Sequence, residues 1–320
     1  MIHLAFTDPV LERIHQVEDR MGSQADNHHP ELASALRHLL RSGGKRIRVA
    51  LTLLMGGMLN ADPDRLVTLS AAIELLHTAT LVHDDLIDGS LMRRGLPTLN
   101  SRWSPAATVL TGDFIFARAA KLAADVESIP VTKLFAETLA TIVNGEIGQM
   151  FGRRGMVTID EYYQRIYAKT ASLFETSTYA AALMSTTNQE VIDRARQFGY
   201  DLGMAFQIID DILDFTGEQA TVGKPVANDL RQGLATLPII LYQQKYSDDP
   251  ALDEIFADFP DDALIMGLVE RVRKSDAIES AFAEANKFIE HGLAVLASFP
   301  DSQEKEALKE LTQFIVSRRK

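Results

Sequence analysis

Apolar residues recur along this chain at the spacing of helices and seldom at the spacing of strands. In 66–88, Leu69, Ile73, Leu76, Thr80 and Ile87 follow a helical repeat, which predicts a long helix ending in an acidic run. The stretches 190–215 and 276–297 carry similar patterns. The alanine-rich segments 117–124 and 178–184 favour helix through intrinsic propensity. Alternating runs of Val, Ile and Thr between turns are scarce.

Punctuation separates these stretches. Gly43-Gly44, Gly95 to Pro97, Gly152 to Gly155, Gly223 to Pro225, Pro250 and Pro300 predict loops or helix ends. Ser101 to Pro105 predicts a turn before a helix, and 217–230 a functional loop. No repeat and no low-complexity linker divides the chain. The pattern predicts one all-α domain over 1–320, built of ten or more helices.

Composition narrows the function. The 320 residues carry 32 basic and 44 acidic side chains, a net charge of −12, and no cysteine. A disulfide scaffold, a cysteine zinc site and a thiol nucleophile are excluded. A net negative chain argues against nucleic-acid binding, which needs a clustered basic face. The start, Met1 to Val10, lacks the basic and apolar regions of a signal peptide. Glu74 and His77 interrupt the most apolar stretch, 66–82, which falls short of the about 20 residues of a membrane span. No transmembrane segment is expected, and a cytoplasmic setting fits.

Two acidic motifs stand out. Asp84-Asp85-Leu86-Ile87-Asp88 closes one predicted helix, and Asp210-Asp211-Ile212-Leu213-Asp214 closes another. Both read DDxxD. Residues four apart share a helix face, so Asp84 lies beside Asp88 and Asp210 beside Asp214. Like charges repel there, and a helix C-terminus disfavours anions. Each motif is therefore unfavourable unless a cation binds. An all-oxygen ligand set suits magnesium better than zinc. One such motif alone reads equally as a solvated helix end. Two copies on apolar helices suggest carboxylate clusters that grip a diphosphate through shared metal ions.

Basic counterparts are local. Gly43-Gly44-Lys45-Arg46-Ile47-Arg48 places three cations after a glycine pair, an anion site or a basic surface loop. Met92-Arg93-Arg94-Gly95 follows the first acidic motif closely, so its cations either pair with those aspartates or hold the diphosphate. His77 lies two helical turns before Asp84 on the same face. Lys169-Thr170 and Lys224 are further candidates, each weak by itself.

Together these pieces resemble the trans-isoprenyl (polyprenyl) diphosphate synthase family. The matching segments are GGKRIR at 43–48, HTATLVHDDLID at 77–88, MRRG at 92–95, GEIGQ at 145–149, YAKTASLF at 167–174, FQIIDDILDFTG at 206–217 and GKPVANDLRQGLATLP at 223–238. They keep the family's order and cover about 60% of the chain. The resemblance implies helices packed around a deep central cavity, a homodimer, and at most transient membrane contact. It implies head-to-tail joining of isopentenyl diphosphate to an allylic diphosphate, with release of pyrophosphate. By position, Lys45, Arg48, His77 and Arg94 would bind isopentenyl diphosphate, and Arg93, Lys169 and Lys224 the allylic diphosphate. Asp84, Asp88 and Asp210 would hold magnesium most directly, with Asp85, Asp211 and Asp214 in support, at about three ions per site when diphosphate is bound. Lys169, Thr170 and Gln207 would act nearest the reacting carbon, Thr170 and Gln207 facing the developing carbocation.

One departure is visible. Many relatives carry Lys or Arg after the glycine that is Gly233 here, and this chain has Leu234. A second feature bears on product length. Ala79 and Thr80 precede Asp84 by five and four residues, about 6–7.5 Å along the helix. In the family, bulky aromatics there stop growth early. Ala79 and Thr80 leave a channel open, and Leu76, a turn further, is a modest barrier. This implies a product of about heptaprenyl to decaprenyl length, suited to a quinone side chain. Otherwise Ala79 simply packs against a neighbouring helix. Other readings are a shorter-chain synthase, the catalytic subunit of a two-part enzyme, a terpene cyclase, or a non-catalytic regulatory subunit. Lys45, Arg48 and Arg94 disfavour the cyclase. Two intact acidic motifs disfavour the regulatory subunit.

Overall fold

The structure, a computed structural model, describes residues 4–41, 43–152, 155–217, 226–256 and 261–317. Its helices are α1 (Leu11–Gly22), α2 (Pro30–Arg41), α3 (Ile47–Met58), α4 (Pro63–Ile87), α5 (Pro105–Asp125), α6 (Ile129–Phe151), α7 (Ile159–Ile166), α8 (Ser172–Ser185) and α9 (Gln189–Thr216). They continue as α10 (Asn228–Arg231), α11 (Leu237–Lys245), α12 (Ala251–Glu254), α13 (Asp262–Lys274), α14 (Ala277–Ala297) and α15 (Gln303–Ser317). A π-helical turn, Tyr167–Ala171, joins α7 to α8. The fold is all-α, as the periodicity predicts.

The helices predicted over 66–88, 190–215 and 276–297 are α4, α9 and α14. Strand among the described residues is confined to a hairpin, β1 (Met92–Arg93) against β2 (Leu96–Pro97), where the glycine pattern predicts only a loop. Its two-residue turn has Arg94 at φ +50° and Gly95 at φ +77°. Positive φ at both central positions is the requirement of a type I′ turn, which matches the strand twist.

The described residues fall into two compact units. The first comprises Met1–Ala140, Leu173–Gly199 and Val295–Leu311; the second comprises Thr141–Ser172, Tyr200–Ala294 and Thr312–Lys320. In the first, α4 is the core helix. Asp62 caps it by accepting from the Arg65 amide at 2.9 Å, and Pro63 occupies its first turn, where a missing N–H costs nothing. Every residue from Leu66 to Leu76 is buried. A helix apolar on all sides is normally enclosed. By length and composition α4 could cross a membrane, but 78% of its most apolar window lies inside the protein. Helix α5 starts at the predicted turn, with Ser104 accepting from the Ala107 amide at 3.3 Å. At their contact, Gly112 of α5 makes room for the His83 ring, which a Cβ there would meet at 2.2 Å.

In the second unit, α7 opens with a capping box. Thr158 accepts from the Glu161 amide, and Glu161 accepts from the Thr158 amide at 2.7 Å. Gly145 of α6 lets Ala168 of the π turn approach, since a Cβ would lie 2.6 Å from the Ala168 methyl.

Candidate active site

In the first unit the structure gathers the basic motifs around the end of α4. Arg94, at the hairpin turn, donates from Nη1 to the carbonyl of Gly43, and its guanidinium covers Gly44, where a Cβ would meet Nη1 at 2.8 Å. Two motifs about fifty residues apart in sequence thus form one loop cluster. Lys45 is exposed, and Arg48 is half-buried with its guanidinium carbon 4.8 Å from the centre of the Phe174 ring. Desolvation, and then the charges of Arg48, Arg94, Arg93 and Arg46, hold His77 well below the usual imidazole range. The imidazole is therefore neutral near pH 7 and offers one donor and one acceptor nitrogen. Desolvation also lowers Arg94, with Arg93 and Arg46 acting in the same sense and Glu74 against.

Arg46 differs from its neighbours. It is buried, and its Nε and Nη1 donate to Glu18 at 3.0 Å and Glu74 at 2.8 Å. Arg93 donates from Nε to the buried Asp85 carboxylate at 2.8 Å. This is the ion-pair reading that the sequence offers for Arg93. Asp84 is half-buried, and Asp88 is exposed as the C-cap of α4.

In the second unit, Thr170 sits in the π turn and donates its hydroxyl to Oε1 of Gln207 at 2.6 Å. Gln207 passes the chain on, donating from Nε2 to Asp211 at 2.7 Å. The Tyr162 hydroxyl donates to the other Asp211 oxygen at 2.7 Å. Burial, and then the charge of Asp229, push the Asp211 carboxyl well above the usual carboxylate range, against the pull of these donors and of Arg165. Burial and the Asp211 charge push the Tyr162 phenol well up. Lys169 pairs with Glu146 of the GEIGQ segment at 3.0 Å. Asp214 accepts at both oxygens, from the amides of Asn228 and Asp229 at 3.1 Å each. Asp210 is half-buried. Lys224 lies outside the described residues. The Leu234 amide donates to the Asp229 carbonyl at 2.9 Å, and Leu234 bridges Gly155.

Of the residues offered for product length, Leu76 and Ala79 are fully buried, and the Thr80 hydroxyl donates to the His77 carbonyl at 2.8 Å. Sequence reasoning missed several partners: Glu74, Glu146, Tyr162, Phe174 and Asp229. Glu74 carried a signal, because a carboxylate inside an apolar helical stretch demands a buried counter-ion. Tyr162 carried none, since it meets Asp211 across 49 residues.

The donor set fits magnesium. Among the described residues no three His, Asp or Glu side chains converge on one point. The candidate ligands are all carboxylate oxygens, which suits an ion that takes one or two carboxylates from the protein and completes its octahedron with waters and phosphate oxygens. Asp85, Asp211 and Asp214 accept from protein donors; Asp84 and Asp210 are half-buried and Asp88 is exposed, so each has part of its surface in solvent.

An all-α scaffold bearing two DDxxD helix ends and a cationic glycine loop defines a diphosphate-handling enzyme. The polyprenyl synthetase family model matches residues 29–271, and the chain belongs to that family; it is a prenyltransferase. It is 34% identical over 305 residues to heptaprenyl diphosphate synthase component 2 of Geobacillus stearothermophilus, covering 94% of each chain. Among solved structures it resembles heptaprenyl diphosphate synthase of Staphylococcus aureus, at 34% identity and a TM-score of 0.90, covering 97% of this chain and 98% of that one. It also resembles a polyprenyl synthase of Caulobacter crescentus in complex with calcium and isoprenyl diphosphate, at 32% identity and a TM-score of 0.92, covering 98% and 97%.

Proposed function

We propose that this enzyme condenses isopentenyl diphosphate head to tail onto an allylic diphosphate, releases pyrophosphate, and repeats the cycle to about heptaprenyl–decaprenyl length. The observation that carries this reading is the seat of Arg94 on the Gly43–Gly44 loop beside His77. It builds a cationic cluster, with Lys45 and Arg48, for a second diphosphate, which a cyclase of one allylic diphosphate does not need. Asp84, Asp88 and Asp210 would hold magnesium. When bound, the metal neutralises the diphosphate and stabilises the departing pyrophosphate.

The protein's own groups do the rest. Lys45, Arg48 and Arg94 hold isopentenyl diphosphate as charge partners, and neutral His77 adds a hydrogen bond without further repulsion. Fixing both substrates converts a bimolecular step into an intramolecular one. Thr170 directs its proton to Gln207, which leaves the hydroxyl lone pairs to face the cationic allylic carbon. The released pyrophosphate is the base for the final proton. Leu76 and Ala79 have no exposed surface and meet protein on every side, whereas Thr80 keeps part of its surface open. Ala79 in place of an aromatic supports a long product, which agrees with the heptaprenyl enzymes among the relatives.

We further propose a homodimer. Val143, Ile147 and Met150 recur on the exposed face of α6 and Phe151 is 81% exposed, a row that a second copy would cover. A second reading, supported by the component 2 relative, is a catalytic subunit with a dissimilar partner. Incubation with farnesyl diphosphate and magnesium, with and without isopentenyl diphosphate, tests the reaction class. Elongated diphosphates only when both substrates are present support the synthase; a hydrocarbon from farnesyl diphosphate alone overturns it.

A further inference from the structure

Arg46 belongs to the same glycine-led motif as Lys45 and Arg48, yet of the three it is the one whose side chain is buried. Its side chain is 6% exposed and its backbone is left-handed, φ +48° and ψ +34°, which a non-glycine residue adopts only when its surroundings impose it. Each guanidinium nitrogen meets a protein acceptor: Nε the Glu18 carboxylate at 3.0 Å, Nη1 the Glu74 carboxylate at 2.8 Å, and Nη2 the Leu40 carbonyl at 3.4 Å. These acceptors come from α1, α4 and α2. The Glu74 side chain is itself 8% exposed and stands three residues before His77. A buried carboxylate in a core helix is costly unless matched, and Arg46 is its match. The same loop is fastened at its start by Arg94 on Gly43.

We propose that Arg46 is a positioning residue and not a phosphate ligand. Glu74, assisted by Glu18, holds it as a tether, and the tether orients Lys45 and Arg48 on either side of it toward isopentenyl diphosphate. The core helix that carries His77 thereby also sets the register of the cationic loop. This rests on the assignment of isopentenyl diphosphate to that loop. The physical reason is preorganisation: cations on a slack glycine loop must be ordered at each binding event, whereas a tethered loop has already lost that freedom.

The test is steady-state kinetics on the full-length protein, with KM measured separately for isopentenyl and allylic diphosphates, together with calorimetric binding of isopentenyl diphosphate alone. Glu74→Gln keeps the shape but removes the charge. It is expected to raise KM and Kd for isopentenyl diphosphate about tenfold, with kcat and the allylic KM within about twofold. The double variant Arg46→Met/Glu74→Met is expected to cost no more than Arg46→Met alone, because the two act as a unit. If Arg46 bound phosphate directly, freeing it by Glu74→Gln would leave affinity unchanged or tighter, and that result overturns the tether. An equal loss for both substrates also overturns it, since it marks general destabilisation. Should Glu74→Gln fail to fold, Glu18→Gln at the more exposed end reads the same effect at about twofold to threefold, and an unchanged KM there overturns the tether. Absence of turnover in the unmutated protein would instead count against the proposed reaction, while the calorimetric comparison still reads the loop.

Discussion

Thr170 donates its hydroxyl to Gln207 Oε1 across 2.6 Å, and that hydrogen bond fixes where the hydroxyl lone pairs point. The π turn that carries Thr170 is a wide, uncommon helix geometry often found at functional sites. Thr170→Val preserves shape and removes the oxygen. It is expected to lower kcat about tenfold to a hundredfold with little change in either KM, and Thr170→Ser to recover most of the loss. A rise in KM with kcat intact would assign Thr170 to ground-state binding.

The second aspartate motif divides by its contacts. Asp214 accepts from the amides of Asn228 and Asp229, and Asp210 is the residue proposed to hold magnesium most directly. Asp210→Asn is expected to lower kcat about a hundredfold to a thousandfold and to weaken the magnesium dependence. Asp214→Asn keeps one carbonyl acceptor and is expected to cost tenfold or less in rate and about 1 kcal/mol in stability. Magnesium titrations of activity and thermal melts on both variants separate these effects. Equal kinetic losses would remove the distinction.

His77 gives a dependence on pH. Desolvation and the arginines around it lower its folded pKa below the unfolded value of about 6.5. The unfolded chain therefore binds the extra proton between the folded value and about pH 6.5. The stability tied to neutral His77 is present above about pH 6.5 and falls as acid is added through that window. Thermal melts from about pH 7.5 to pH 5.5 are expected to show a smaller fall in Tm for His77→Gln than for the unmutated protein. Equal falls would place the acid sensitivity elsewhere.

Much of this was legible because short-range spacing decides it. The four-residue interval places Asp84 beside Asp88 whatever the tertiary fold, and the apolar repeat of 66–88 predicts the core helix α4. What spacing cannot show is the fate of like-charged neighbours. Lys45, Arg46 and Arg48 read alike in sequence; only the arrival of Glu18 and Glu74 buries Arg46. The same holds for Asp211 and Asp214, to which Tyr162 and Gln207 on one hand and the 228–229 amides on the other give different partners. The hairpin at 92–97 reads as a loop in the sequence because two-residue strands leave no alternation to detect.

The product-length distribution made by the purified chain alone, from isopentenyl and farnesyl diphosphates with magnesium, tests the central claim most directly. The expected result is a set of prenyl diphosphates centred at about heptaprenyl to decaprenyl length, shortened toward geranylgeranyl in Ala79→Phe, where an aromatic ring replaces a fully buried methyl. Products that stop at geranylgeranyl in the unmutated protein, or no elongation without a second polypeptide, would contradict the reading of a self-sufficient long-chain synthase.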